Sequence, residues 1–126
     1  MWVIYDEVHH MQLDQKGTGP GARSSHAITI IGEKFYAFGG EFRPCVPVDN
    51  TIYVFDLNDQ TWPIADATGK IPHPRVGVTM ASVAETIYVF GRRDATHKEL
   101  NELYSFNTVT NKWTLLLVAR LGPSLR

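Results

Sequence analysis

The side chains best suited to chemistry lie in two polar stretches, each of which follows an apolar run. These residues are Glu41, Arg43 and Cys45 in the first stretch, and Arg93, Asp94, His97 and Lys98 in the second. The planar guanidinium of Arg93 could bind a sulfate or carboxylate through two parallel hydrogen bonds. The alternative is a solvated loop charge that pairs with Asp94, and the residues alone leave both interpretations open.

Metal-binding and nucleophilic patterns are weak in this chain. Asp6 and His10 are four residues apart with Glu7 and His9 between them, which resembles a ligand cluster but is also typical of a solvated tail. Cys45 lies among prolines without a histidine at a fixed spacing, so it is a poor candidate nucleophile. The sequence contains neither a glycine-rich phosphate loop nor a CxxC pair. We therefore predict no catalytic residue and no metal ligand in this chain.

The two polar stretches lie at equivalent places in two copies of one sequence pattern. Residues recur 52 positions apart early in the pattern and 51 apart later: Arg23 and Arg75, Tyr36 and Tyr88, Phe38 and Phe90, then Tyr53 and Tyr104, Trp62 and Trp113. A period near 50 is typical of kelch repeats, in which each repeat forms one four-stranded blade of a β-propeller. The recurring aromatic residues indicate blade cores, and the two arginines indicate structural hydrogen bonds between blades.

Alternating apolar residues and short turns predict an all-β chain. The expected strands are Ala27–Ile31, Phe35–Phe38, Ile52–Leu57 and Thr61–Ile64 in the first repeat, and Val78–Val83, Ile87–Phe90, Leu103–Phe106 and Lys112–Leu116 in the second. Between Trp62 and Arg75 the glycine and prolines of TGKIPHP indicate an irregular crossover. The polar stretches then fall on the long loops between the second and third strands.

The repeat spacing predicts a fragment of a propeller with two complete blades and partial edges. The expected units are 1–16, partial outer strands of a preceding or closing blade; 17–70, blade one with its crossover; 71–121, blade two; and 122–126, the start of a third repeat. Two blades do not close a propeller and leave apolar sheet surface uncovered. We therefore expect the 126-residue chain to be marginally stable or to self-associate through its exposed edges.

Composition narrows the class of protein. The net charge of −1, without a basic run, argues against a nucleic-acid partner. No apolar stretch approaches the roughly 20 residues of a membrane-spanning helix. The single cysteine fits a reducing compartment, so a cytoplasmic location is expected.

Three segments carry a resemblance to one plant family. They are LDQKGTGPGARSSHAITIIGEKFYAFGGEF, VDNTIYVFDLNDQTW and IYVFGRRDATHKELNELYSFNTVTNKW. They resemble the kelch proteins of the nitrile-specifier, epithiospecifier and thiohydroximate-forming group, and the resemblance covers about Leu13 to Leu116. It implies a six-bladed propeller that acts on the unstable aglucones released from glucosinolates by myrosinase. The products are then nitriles, epithionitriles or thiocyanates rather than isothiocyanates, depending on Fe(II).

The resemblance also implies residue roles. An arginine directly after the second repeat's glycine pair contacts the sulfate of the substrate in that family, and Arg93 matches it. A basic residue expected in the first long loop falls near Val46, so that contact is absent, and a further substrate arginine of the third repeat is missing. The family's Fe(II) ligands form a Glu-x-x-x-Asp-x-x-x-His motif in a later blade, and this sequence contains no such triplet.

Three interpretations follow. The chain is the N-terminal part or a truncated relative of a specifier protein, a kelch module that binds another protein, or a degenerate fragment without activity. Arg93 favours the first, while Val46 and the missing iron motif argue against catalysis by this chain alone. Arg92 also replaces the second glycine of the pair, which costs about 1–2 kcal/mol if that backbone site has a positive φ.

Overall fold

The chain forms β-strands joined by turns and loops. A computed structural model describes residues 3–5, 10–12, 16–17, 19–43, 46–47, 49–91 and 101–118. Its strands are β1 (Val3–Tyr5), β2 (His10–Gln12), β3 (Ser24–Ile31), β4 (Lys34–Arg43), β5 (Val46–Pro47), β6 (Tyr53–Asp56), β7 (Thr68–Gly69), β8 (Thr79–Val83), β9 (Thr86–Phe90), β10 (Glu102–Asn107) and β11 (Lys112–Val118). No helix occurs within these ranges, so the predicted all-β class is confirmed.

The two repeats form two sheets in which the strands of each repeat pair antiparallel. In the first, called blade one, β4 pairs with β3, β5 and β6. In the second, called blade two, the strand order is β7-β11-β10-β9-β8. The third strand of blade two, expected at Leu103–Phe106, is observed as β10.

The predicted strand at 61–64 differs from the observed structure. Only Thr61 pairs there, in isolated bridges with Asp56 and Lys16. The equivalent segment of blade two is the seven-residue strand β11. Pro63 follows Trp62, whereas Thr114 follows Trp113. Because proline cannot donate a hydrogen bond to a neighbouring strand, the fourth strand of blade one stops after Trp62.

The segment before each repeat adds a parallel partner to the outermost strand of the blade that follows it. In blade two, β7 pairs with Lys112 and Trp113 of β11. In blade one, Lys16 pairs with Thr61, and the amide of Trp62 donates to the Lys16 carbonyl at 2.9 Å. Part of the predicted irregular crossover is therefore a short strand, and the unit boundaries assigned from the repeats stay predictions.

The N-terminal strands β1 and β2 pair with each other, with Val3 opposite Gln12 and Tyr5 opposite His10. They form a separate two-stranded sheet. The expectation that this region supplies outer strands of another blade stays a prediction.

The hydrophobic core lies between the two blades. Its buried members are Tyr36, Phe38, Ile52, Val54, Val78, Ile87, Val89, Tyr104, Phe106 and Trp113. Trp113 contacts both blades, because the centre of its ring lies 5.2 Å from that of Phe38 in blade one and 4.9 Å from that of Phe106 in blade two. The repeated aromatic residues therefore serve mainly as core, as their recurrence predicted.

The glycine pair that ends the apolar run of blade one is conformationally required. Gly40 has φ of 108°, and a Cβ there would lie 2.9 Å from the Ser24 carbonyl oxygen. The second glycine of the pair, Gly40, thus has a positive φ, a conformation that suits glycine. Arg92, its counterpart in blade two, lies outside the described residues.

Candidate functional site

The two long loops leave the sheets at the same ends of equivalent strands. The first follows β4, and the second follows β9 after Gly91. Arg93, the predicted substrate-binding residue, lies outside the described residues, as do Cys45, Asp94, His97 and Lys98. The backbone of Arg43 belongs to β4, and Glu41 is a half-buried residue of the same strand. The described residues of this end are therefore those that anchor the loops.

Arg23 anchors the first loop. Its Nη1 and Nη2 donate to the two carboxylate oxygens of Asp49, at 3.1 and 3.2 Å. Nη1 also donates to the Gly39 carbonyl at 3.1 Å, and Nε donates to the Pro20 carbonyl at 2.9 Å. The guanidinium lies over the ring of Tyr53 at 5.1 Å. Its donors are thus occupied by the protein itself, and the backbone of β4 at Gly39 is held in place.

Arg75 does the same for the second loop. Its Nη1 donates to Glu102 at 3.2 Å and to the Gly91 carbonyl at 3.5 Å, and its Nε donates to the His73 carbonyl at 2.9 Å. The guanidinium lies 5.2 Å from the centre of the Tyr104 ring. Arg75 is fully buried, and its Nη2 has no hydrogen-bond partner among the residues that the structure describes. The carboxylate of Glu102 therefore satisfies this arginine less completely than Asp49 satisfies Arg23.

The structural role predicted for the two arginines is confirmed, but their side chains act within repeats rather than between them. The contacts between blades at this end are made by other groups. Gly40 N donates to the Arg75 carbonyl at 3.1 Å, and Gly77 N donates to the Ser25 carbonyl at 2.9 Å. The side-chain amide of Asn50 donates to the Pro72 carbonyl at 3.0 Å.

Sequence reasoning missed the two carboxylates. Asp49 follows Arg23 by 26 residues, and Glu102 follows Arg75 by 27. Each acid also precedes the aromatic residue over which its arginine stacks, Tyr53 or Tyr104. That shared order was a readable signal, although the two acids differ in type and in their distance from the aromatic residue.

The electrostatics of Asp49 follow from its partners. Burial opposes ionisation of this carboxyl, but hydrogen bonds from Arg23 and Tyr53 outweigh burial and hold the pKa of Asp49 below its ordinary value. The Tyr53 hydroxyl donates to Asp49 Oδ2 at 2.8 Å. Asp49 therefore stays ionised as a fixed anchor and is not set up to exchange protons near neutral pH.

Acid should weaken this anchor. A carboxyl whose pKa is lowered by folding stabilises the fold in full well above 3.8, its ordinary value, and the contribution is lost as the pH falls below 3.8 toward the folded-state value. We expect Asp49→Asn to lower the melting temperature at pH 7 and to differ progressively less from the parent chain as the pH approaches 3. Exposed Asp66→Asn is the matched control in thermal scans by circular dichroism. A difference for Asp49→Asn that does not change with pH would contradict this assignment.

A groove opens between the blades at the opposite end, among the tight turns. It is lined by Lys34, Tyr36, Val54, Pro63, Ile64, Ala65, Thr108 and Asn111, and its volume is about 130 Å³. Ligand pockets usually hold roughly 300–1,000 Å³. The groove is therefore too small to be the main site, and the long-loop end is the better candidate.

Within the part of the chain that the structure describes, His, Cys, Asp and Glu side chains form no group of three that could hold a metal ion. The same residues include no helix long and apolar enough to cross a membrane. His10 lies on β2, while Asp6, Glu7 and His9 lie outside the described ranges.

Comparison with known proteins supports the repeat assignment. The chain is 45% identical over 120 residues to N-(sulfonatooxy)prop-2-enimidothioate sulfolyase of Thlaspi arvense, which covers 92% of this chain and 34% of that protein. It is 32% identical over 117 residues to Rho GTPase-activating protein gacHH of Dictyostelium discoideum, covering 88% of this chain and 8% of that protein. It is also 36% identical over 77 residues to Rab9 effector protein with kelch motifs of Bos taurus, covering 60% and 21%.

The chain thus spans about a third or less of the length of these relatives. The plant sulfolyase confirms the resemblance to the specifier group. Residues 25–126 match the family described as the KLHDC2/KLHL20/DRC7 Kelch-repeats domain. With its period near 50 residues and its two antiparallel blades, the chain belongs to the kelch-repeat family.

Proposed function

We propose that this chain supplies two blades of a kelch protein that diverts glucosinolate aglucones to nitriles or related products. The observation that carries this proposal is the 45% identity to the Thlaspi arvense protein across 92% of the chain. That protein is named as a sulfolyase of N-(sulfonatooxy)prop-2-enimidothioate. The substrate class is thus a small organic anion that carries a sulfate group.

The geometry of the long-loop end supports a role for Arg93 in holding that sulfate. Arg75 is occupied by Glu102 and two carbonyl groups, and it is fully buried, so it is not available to a ligand. Its bond to Gly91 fixes the strand end two residues before Arg93. A guanidinium that leaves a fixed strand end suits bidentate binding of a sulfate.

The Fe(II) that the family resemblance implies does not fit the residues of this chain. The described residues contain no metal-binding group of three, and the whole sequence lacks the Glu-x-x-x-Asp-x-x-x-His motif. We therefore assign the metal to other blades of such a protein and no step of the reaction to iron bound here. The single cysteine and a cytoplasmic location are consistent with this proposal.

A graft tests the proposal. The segment of the Thlaspi arvense sulfolyase that aligns with this chain is replaced by this chain, and the hybrid is mixed with myrosinase, allyl glucosinolate and Fe(II). Gas chromatography of the products is expected to show nitrile, epithionitrile or thiocyanate beside isothiocyanate. The 126-residue chain alone should give isothiocyanate only, because it lacks the iron motif.

Substitution within the graft tests the residue. Arg93→Ala is expected to lower the diverted products about tenfold or more, since hydrogen bonds to charged groups are worth roughly 1.5–3 kcal/mol. Lys98→Ala, a charge change in the same loop, is the control and should have little effect. A folded graft that yields isothiocyanate alone would refute the proposed function, whereas unchanged yield in Arg93→Ala would refute only the residue assignment.

A second candidate is a kelch module that binds another protein. Two relatives favour it by name, a Rho GTPase-activating protein and a Rab9 effector. A matched graft that carries the aligned gacHH segment separates the candidates. If both grafts fold and neither diverts the products, the interaction role becomes the better explanation.

A further inference from the structure

The small groove among the tight turns exists because the repeat is broken there. In blade two the fourth strand, β11, packs Leu115 against the core. Its repeat equivalent Ile64 is 88% exposed, and the smaller Ala65 packs against the core instead. Pro63 explains this difference, because it ends the strand pairing just before Ile64. An alanine in place of a leucine leaves the space that the groove occupies.

Lys34 is the charged residue among those that line the groove. Across the described ranges of the chain, its ammonium group forms no ion pair. Asp56 lies opposite Lys34 on the neighbouring strand, but its Oδ1 accepts from the backbone amide of Asn58 at 2.9 Å. The equivalent of Lys34 in blade two is Thr86. The charge, like the space, is therefore a departure from the repeat.

The other polar side chains of the groove are held in place by the turns. Tyr36 is 5% exposed, and its hydroxyl is hydrogen-bonded to that of Thr108. Thr108 Oγ1 donates to the Glu85 carbonyl at 2.7 Å, so it accepts from Tyr36. The backbone amide of Asn111 donates to the Asn107 carbonyl at 2.7 Å and fixes the turn, which leaves the side-chain amide of Asn111 to line the groove. The groove thus offers an ammonium group and an amide, and both can donate to a carboxylate.

The size of the groove fits a single side chain. Its volume of about 130 Å³ corresponds to about four water molecules at roughly 30 Å³ each. Ile64 at its edge is 88% exposed, and Val109, which lies in the turn between Thr108 and Asn111, is 67% exposed. In protein interfaces a few anchor side chains fill small pockets, and contacts around them exclude water. A small polar pocket beside exposed apolar side chains has this form.

We propose that the groove binds a glutamate side chain of a partner protein, whose neighbouring apolar residues contact Ile64 and Val109. The carboxylate accepts charge-assisted hydrogen bonds from Lys34 and an amide hydrogen bond from Asn111. Its aliphatic stem lies against Val54. The contact is independent of the reaction proposed above, because the groove lies between the two blades at the end opposite the long loops.

A short peptide and its matched control probe the groove on the 126-residue chain. The probe is Ala-Val-Glu-Val-Ala with both ends blocked, and in the control peptide glutamine replaces the glutamate. Titration of the ¹⁵N-labelled chain, followed by NMR, should shift the amide signals of Lys34, Ala65 and Asn111 with the glutamate peptide only. A ligand with about five contacting atoms should bind in the millimolar range. Equal binding of the two peptides, or no shift with either, would overturn the proposal.

Two substitutions introduce the residues of blade two into the groove. Lys34→Thr removes the charge and should weaken binding of the glutamate peptide about tenfold. Ala65→Leu fills the space and should abolish binding. Lys70→Thr, at an exposed lysine outside the groove, is the control and should bind like the parent chain. Unchanged binding by Lys34→Thr would show that the carboxylate is not held here.

Sodium propionate separates a partner's side chain from a free short carboxylate. It carries the same group without a peptide, so it should bind more weakly than the glutamate peptide. Propionate that binds as tightly as the peptide would assign the groove to a small carboxylate and overturn the partner assignment. Circular dichroism verifies folding, and Ala65→Val replaces any Ala65→Leu protein that fails to fold.

Discussion

Replacing Trp113 with alanine should lower the free energy of unfolding by about 3–5 kcal/mol, the range found for deletion of a large buried aromatic side chain. Trp113 is 1% exposed and contacts aromatic rings of both blades. Its ring lies 5.2 Å from Phe38 and 6.3 Å from Tyr104. Loss of this side chain therefore removes core contacts within blade two and the aromatic contact between the blades.

Trp62 is the matched control, because it occupies the same repeat position in blade one. Its aromatic neighbour is Phe55 of its own blade, at 4.9 Å. Urea unfolding at one fixed protein concentration should show a larger loss for Trp113→Ala than for Trp62→Ala. A double-mutant cycle between Phe38→Leu and Trp113→Leu should give a coupling energy of about 0.5–1.5 kcal/mol. Equal losses for the two tryptophans, with no coupling to Phe38, would show that Trp113 does not join the blades.

The second large effect is expected at the ion pair of Arg75 and Glu102. Arg75 is fully buried, and Glu102 Oε1 accepts from its Nη1 at 3.2 Å. Glu102→Ala would leave the guanidinium charge buried without a counter-charge, a change that typically costs about 3–5 kcal/mol. The Glu102 side chain is 23% exposed, so solvent reduces the loss and a value near 3 kcal/mol is expected.

Two further variants separate charge from hydrogen bonding. Glu102→Gln keeps an oxygen that can accept from Arg75 and should lose less stability than Glu102→Ala. Adding Arg75→Met to Glu102→Ala removes the uncompensated charge, so the double variant should be more stable than the sum of the single losses predicts. Asp66→Ala, at an exposed position, should change stability by less than about 0.5 kcal/mol. Strictly additive losses would contradict a direct coupling of Arg75 and Glu102.

The strands and the core were largely predictable because their signals are local. The strand pattern from Ala27 to Ile31 and the recurrence of aromatic residues such as Phe38 and Phe106 depend on side-chain period and repeat spacing alone. Pro63 was the exception: it lies inside a predicted strand, and its missing amide proton ends the pairing there. The proline alone predicts that the strand ends there, but the repeat pattern predicted a strand and was given more weight.

The candidate site was predictable only in part. Arg93 was chosen because it directly follows the second glycine position and because an arginine occupies that position in the specifier group. Neither reason depends on a contact observed in the structure. Its function therefore stays a proposal. The structure contributes the anchoring of Gly91 by Arg75, which places the start of that loop.

The sequence by itself determined the all-β class, the two repeats and several aromatic residues of the shared core, because strand alternation and a period near 50 residues are properties of the chain. Only the tertiary structure decided the partners of Arg23 and Arg75 and the parallel pairing of β7 with β11. It also decided which of two equivalent phenylalanines is buried, Phe38 rather than Phe90. These features depend on which sheet face another blade covers and on where each loop returns, and packing between blades sets both.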